Sequence, residues 1–208
     1  MKKNKILFSS ISLIIVVLIA SSYLLWKQVD TKEKEELAYQ LKLAETLNLI
    51  DSSKTDSAVV AGTFQKYWGK IIESSISFAT LSDDLHIPVF TIESLVNTSE
   101  RVSYTYAPSL AEGEFDTVLN IVKNAKSGDI NSVLKQHQIV TNSIKELKNP
   151  PINFKDSYEI LLECYEVYDT FVSLSTSPNG SYIEYSRNIN STYETLSSKV
   201  NTALLQLP

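Results

Sequence analysis

From Ile6 to Trp26 the chain runs for 21 residues without a charge, ILFSSISLIIVVLIASSYLLW. No other stretch narrows the possible folds as much. At about 1.5 Å rise per residue, a helix of that length covers roughly 31 Å, the thickness of a bilayer's hydrocarbon core. Its apolar surface comes from Ile6, Leu7, Phe8, Ile11, Leu13, Ile14, Ile15, Val16, Val17, Leu18, Ile19, Tyr23, Leu24, Leu25 and Trp26. The interspersed serines can return their hydroxyl hydrogens to carbonyls one turn back, so they do not forbid a span. Lys2, Lys3 and Lys5 precede the run, with no acid among them. The positive-inside rule then keeps the amino terminus in the cytoplasm and exports everything after Lys27. Tyr23 and Trp26 suit the outer interface, each with an apolar ring and a polar handle. The expected organisation is a cytoplasmic tail over residues 1–5, a transmembrane signal anchor over 6–26 and an extracytoplasmic helical domain over 27–208.

A cleavable signal peptide is the alternative. It would use the basic start, an apolar centre and the small residues Ala20, Ser21 and Ser22, with cleavage near Ser22. Against it, Tyr23, Leu24, Leu25 and Trp26 carry the apolar run on to spanning length. A lipoprotein is excluded, because the lone cysteine is Cys164.

About 180 residues follow the run, enough for one domain with a real core. The chain carries −5 in all and its first 26 residues carry three lysines and no acid, which leaves −8 for the exported part. That balance argues against nucleic acid and against docking onto anionic lipid. One cysteine rules out an internal disulfide framework. Five glycines and six prolines are too few for a long all-β chain of tight turns. The fold class expected is all-α: an N-terminal transmembrane helix, then an antiparallel, up-down helical bundle ending in a long hairpin over about 152–177 and 181–207.

Periodicity locates the helices. Leu37, Leu41, Ala44 and Leu47 recur at three and four residues, so a helix continues from the anchor. The polar cluster from Asp51 to Asp56 is rich in N-cap residues and predicts a turn. A second helix then carries Val60, Phe64, Tyr67, Trp68, Ile71, Ser75 and Phe78, with Trp68 read as core. Pro88 predicts a break near 86–89. Residues 90–107 are ambiguous, with a helix possible over 90–101 and an extended piece over 102–107. Ser109 and Glu112 form a capping-box pattern before a third helix over 112–125. Gly128 is read as a left-handed stop, and Asp129 as the cap of a fourth helix bearing Ile130, Val133, Leu134, His137, Val140, Ile144 and Leu147. Pro150 and Pro151 end it.

The last third has the clearest pattern. Asp156 and Glu159 make an acidic capping box ahead of Leu161, Tyr165, Tyr168 and Phe171. Residues 177–180 make a turn. Ser181 and Glu184 make a capping box ahead of Tyr182, Tyr185, Ile189, Tyr193, Leu196, Val200, Leu204 and Leu207. An antiparallel hairpin about Asn179 follows, pairing Phe171 with Ile189, Tyr165 with Leu196, and Leu161 with Val200.

No constellation carries chemistry. His86 beside Asp83 and Asp84 lacks the further ligands a metal needs, and reads as a polar turn. His137 lies on the apolar stripe of the fourth helix and reads as a packing residue or a buried titrating group. Cys164 has no base in sequence to lower its pKa, so it reads as a buried thiol, with an intermolecular disulfide as the second choice. Glu33, Glu35, Glu36, Glu159, Glu163 and Glu166 read as solvated helix faces. The 11 tyrosines read as core, which requires some of their hydroxyls to find partners. No catalytic, cofactor or metal residues are assigned.

Tyr67-Trp68-Gly69-Lys70-Ile71-Ile72, Leu147-Lys148-Asn149-Pro150-Pro151, Pro178-Asn179-Gly180-Ser181-Tyr182 and the end at Leu207-Pro208 together resemble exported helical proteins of Gram-positive bacteria and their mobile elements. The resemblance spans residues 56–208 and implies fold and compartment, with no activity to carry over. The function expected is a non-enzymatic, membrane-anchored extracytoplasmic module. Membrane lipid is its partner through the N-terminal helix, and a protein or envelope component is the expected partner of its bundle surface. The alternatives are a pilin-like or phage and mobile-element envelope assembly protein, and a secreted helical protein.

Overall fold

A single helix, α1 (Lys3–Glu73), forms the spine of the chain. The computed structural model describes residues 3–96 and 109–206, with side chains from residue 31 onward. At 71 residues α1 is about 107 Å long. The expected anchor 6–26 shares its helical backbone but lies outside the residues whose side chains are described. Among those described, no helix is long and apolar enough to cross a membrane.

The turn expected at 51–56 is absent, and α1 runs through it. The hydroxyls that could cap a new helix serve the existing one instead. Ser52 donates to the Leu49 carbonyl at 3.1 Å, Thr55 to Asp51 at 3.3 Å and Ser57 to Ser53 at 2.8 Å. Lys54 adds an ion pair with Asp51 at 2.7 Å, one turn back. The buried face of this half of α1 keeps Leu47 and part of Ala44 from the expected stripe and loses its first two positions. Leu43, Leu47 and Ile50 are buried, whereas Leu37 and Leu41 are exposed at 56% and 57%. Further along, Val60, Phe64, Tyr67, Trp68 and Ile71 are all buried, as expected, while Ser75 lies exposed beyond the helix end.

A cap of short elements follows α1. Strand β1 (Ile76–Ser77) pairs antiparallel with β2 (Ser109–Leu110), Ile76 opposite Leu110. Between them lie α2 (Phe78–Leu85) and α3 (Val89–Leu95), separated where Pro88 predicted. Ser77 caps α2 by accepting from the Thr80 amide, and His86 ends it with a left-handed φ of 57°. The extended piece expected over 102–107 lies outside the described residues.

Helices α4 (Phe115–Ala125), α5 (Ser127–Glu146), α6 (Lys155–Thr176) and α7 (Tyr182–Leu205) complete the chain. Three start signals behave differently from expectation. Ser109 is spent in β2, so no capping box forms with Glu112, and α4 begins after Gly113 turns the chain with a φ of 87°. Gly128 sits inside the first turn of α5, while Lys126 makes the bend and pairs with Asp129 at 3.1 Å. Asp156 falls within the first turn of α6, because the short 3-10 turn Ile152–Phe154 already leads the chain into that helix. The Ser181–Glu184 capping box forms in full, after a turn in which Gly180 has a φ of 79°.

α1 packs against α4, α5, α6 and α7, so the bundle is built around it. Side-chain pairs give the directions. Tyr39 reaches Leu147 and Asp56 reaches Gln136, so α5 runs antiparallel to α1. Tyr39 stacks near Phe154 and Ser53 meets Tyr168, so α6 runs parallel to α1. α7 returns antiparallel to α6. Its register is fixed by Phe171 against Tyr193, ring centroids 5.8 Å apart, and Glu163 against Lys199 at 2.6 Å. These pairs centre on residues 181–182, one or two positions beyond the expected centre. Leu161, Phe171, Ile189, Leu196 and Val200 are all buried.

Candidate functional site

The densest group of polar and aromatic side chains lies where α1, α5 and α6 meet. Ser53 is fully buried on α1, and its hydroxyl lies 2.7 Å from that of Tyr168 on α6. One turn before Tyr168, the Tyr165 hydroxyl lies 2.8 Å from that of Thr141 on α5. Thr141 also donates to the His137 carbonyl at 2.8 Å, so its single hydrogen is used and Tyr165 must be the donor in the other bond. The His137 ring stacks on Tyr165 at 6.1 Å and 15°, tilts against Tyr168 at 5.6 Å, and places Nε2 2.7 Å from Asp169 Oδ1. Gln136 donates to Asp56 at 2.8 Å across the rim.

This arrangement can hold and orient, and its hydroxyls are engaged with one another. A histidine–carboxylate pair serves catalysis when the histidine's second nitrogen faces a reacting hydroxyl or thiol. Here the neighbouring hydroxyls pair with one another. Burial pushes the Tyr168 phenol up to about 12, which keeps it a neutral hydrogen-bonding group. Asp169 is mostly exposed, so its bond to His137 is a rim contact.

A second tie joins α1 to the cap. Lys66 and Tyr67 both donate to Asp84 Oδ2 at 3.0 Å, and the Lys66 ammonium lies 4.9 Å from the centre of the Tyr67 ring. The Lys66 hydrogen bond, then that of Tyr67, holds the Asp84 carboxyl below its usual range. Burial chiefly raises the Tyr67 phenol. Asp84 is thus engaged away from His86, which stands exposed at the end of α2 with Asp83 also exposed. No group of three metal-ligating side chains occurs among the described residues.

Cys164 is fully buried and free. Burial raises its thiol to about 11, only partly opposed by Lys199. Of the tyrosines expected in the core, Tyr67, Tyr168 and Tyr185 are buried, Tyr39, Tyr158, Tyr165 and Tyr182 are half-buried, and Tyr193 is exposed. Tyr39 donates to the Leu147 carbonyl at 2.9 Å, and burial carries its phenol to about 12. Tyr185 packs on Trp68 at 5.5 Å, fully buried, with no partner for its hydroxyl among the described residues. Glu33, Glu35, Glu159, Glu163 and Glu166 lie on exposed helix faces, while Glu36 is half-buried and pairs with Lys32 at 3.8 Å.

An open groove of about 330 Å³ runs between α6 and α7, lined by Glu166, Val167, Thr170, Ser191, Thr192 and Thr195. Thr170 and Thr195 spend their hydrogens on carbonyls of their own helices, at 3.0 and 2.7 Å. The groove therefore offers acceptors and one carboxylate.

Sequence reasoning found His137 but missed Asp169, Thr141 and Ser53. One signal was available. The pairs His137–Asp169 and Thr141–Tyr165 are each centred on residue 153, two to three positions past the stop at Pro150 and Pro151. No protein-family model, no curated protein and no solved structure matches this chain.

Proposed function

We propose that this protein is a membrane-anchored, extracytoplasmic helical module without catalytic activity, which presents its bundle surface to a protein or cell-envelope partner. The observation that carries the reading is the identity of the spine. The helix that contains the apolar run supplies, farther along, the surface on which α4 to α7 pack. A removable leader has no reason to continue without interruption into the core of the domain it exports. The lysines before the run and the acidic balance after it support the direction of insertion. The paired hydroxyls of the α1–α5–α6 cluster support a structural use for its histidine and tyrosines.

The test is topology in intact bacterial cells expressing the chain with a tag after Pro208. The tag should fractionate with membranes and be removed by external protease, and the amino terminus should begin at the initiator segment. A soluble product, a protected tag or a new amino terminus near Ser22 would overturn the anchor. The same continuous α1 also supports an assembly subunit, in which apolar N-terminal helices of several copies pack together. That reading requires recovery of sedimentable polymers after mild detergent extraction.

A further inference from the structure

We propose that the α5–α6 turn and the carboxyl end of α7 rest on the surface of the bilayer that residues 6–26 cross, so that the domain leans on the membrane with its α5–α6–α7 side down. The inference rests on the anchor reading above, and names a second contact that the anchor does not require.

The turn has the composition and rigidity for this. Ile152 is 66% exposed at its tip, while Phe154, two residues on, is buried. Lys145, Lys148 and Lys155 surround it, all exposed. Of the acids nearby, Glu146 is ion-paired with Lys42, Glu36 with Lys32, and Asp156 is exposed. This is a local cationic rim on a chain of net charge −5, and it fits phosphate headgroups around an apolar tip. The turn is held to α1 at three points. Tyr39 donates to the Leu147 carbonyl at 2.9 Å and its ring meets Phe154 at 5.3 Å, while Asn153 reaches Glu36 at 3.4 Å. Leu205, 87% exposed, lies at the same end, because α7 finishes beside the start of α6.

Helix geometry sets the direction and size of the lean. Glu36 lies ten residues past Trp26, about 15 Å along α1, whereas a headgroup layer is only about 5–7 Å deep. An upright α1 would therefore hold Ile152 clear of the lipid. Transmembrane helices tilt by up to about 40°, and a turn packed one helix spacing of 8–10 Å beside α1 then descends to roughly 5 Å. Leu37 and Leu41 stand two residues on either side of Tyr39, about 200° around the helix. They mark the opposite face of α1, which the same lean lifts away.

The experiment places the full chain in nanodiscs of phosphatidylcholine and phosphatidylglycerol. The variants I152C, L37C and I183C each receive an environment-sensitive fluorophore. All three sites are exposed, at 66%, 56% and 72%, so the fold should tolerate them, and helical circular dichroism checks this. The buried Cys164 stays unlabelled at neutral pH. Lipids carrying a headgroup spin label should quench position 152 several-fold more than positions 37 and 183. Replacing Lys145, Lys148 and Lys155 with glutamine in I152C should weaken that quenching several-fold. Stronger quenching at 37 than at 152 means the opposite lean and overturns the proposal. Equal, weak quenching at all three sites in incorporated protein overturns the contact and leaves the anchor standing. Failure to incorporate into the discs overturns both.

Discussion

The phenol of Tyr182 lies across Gly69, so close that a Cβ on Gly69 would sit 2.8 Å from its hydroxyl oxygen and 3.1 Å from the ring. Two effects compete at this position. Alanine is favoured over glycine in a helix by about 1 kcal/mol. The phenol is a rigid ring held 6.2 Å from Trp68, so it cannot withdraw without losing that packing. Gly69→Ala should therefore destabilise the wild-type protein. In a Tyr182→Ala background the same change should stabilise by about 1 kcal/mol. Denaturant unfolding of the four proteins measures the reversal, and an unchanged sign in both backgrounds would show that Tyr182 does not select the glycine.

Buried tyrosine hydroxyls with and without partners should respond in opposite ways. Tyr168→Phe leaves Ser53 buried and unpaired and should cost about 1–3 kcal/mol. Adding Ser53→Ala to it should cost much less than the sum of the two single changes. Tyr185→Phe removes a hydroxyl with no protein partner and should be neutral or mildly stabilising. Thermal unfolding of Tyr168→Phe, Ser53→Ala, the double variant and Tyr185→Phe ranks them. A Tyr185→Phe loss as large as that of Tyr168→Phe would mean the Tyr185 hydroxyl is engaged.

Cys164 should be inert to thiol reagents in the folded protein and react freely once it unfolds. Its folded pKa is raised from 9.0 to about 11 by burial. The folded state therefore holds the proton more tightly than the unfolded state. The resulting stabilisation is complete below pH 9 and is lost as pH rises from 9 towards 11. Labelling followed by mass, with and without denaturant at pH 8, checks the first point. Rapid native labelling at pH 8 would contradict the buried placement.

The start of α7 should be acid-sensitive. The Ser181 hydroxyl, then its backbone amide, holds the Glu184 carboxyl below its usual range. That contribution is present above the ordinary carboxylate pKa and is lost as pH falls through the depressed value. Ser181→Ala should cost about 1 kcal/mol at neutral pH. The cost should shrink at low pH, where Glu184 is protonated. A pH-independent cost would mean that the hydroxyl acts alone.

What the sequence made legible follows from how local each signal is. The Ser181–Glu184 box, the Pro88 break and the existence of the α6–α7 hairpin depend on neighbours within a few residues, and each appears, although the hairpin register is shifted and Tyr165 turns to α5 and not to Leu196. The stop expected near Asp51 failed because Ser52, Thr55 and Ser57 are equally able to cap a helix or to bond its carbonyls. Only the burial of Ser53 against Tyr168 on α6 decides between these, and that contact spans 115 residues. Leu37 and Leu41 misled for a related reason. Periodicity gives a face, but the position of α5 and α6 selects which face is covered, and they cover that of Leu43 and Leu47. The His137 cluster stayed hidden because Asp169 and Thr141 look like ordinary surface residues until α5 and α6 fold about residue 153.

Because α1 lies at the centre, the contacts that complete the domain are late ones. Tyr39–Leu147, Ser53–Tyr168 and Gln65–Asn190 join residues 108, 115 and 125 positions apart. Local contacts let helical proteins fold quickly, whereas these ties wait for loops of more than a hundred residues to close. During synthesis the spine emerges first, with Leu43, Leu47, Ile50 and Phe64 uncovered until the later helices arrive. Throughout that interval the nascent chain carries a bare apolar stripe, and its protection from aggregation falls to whatever escorts it.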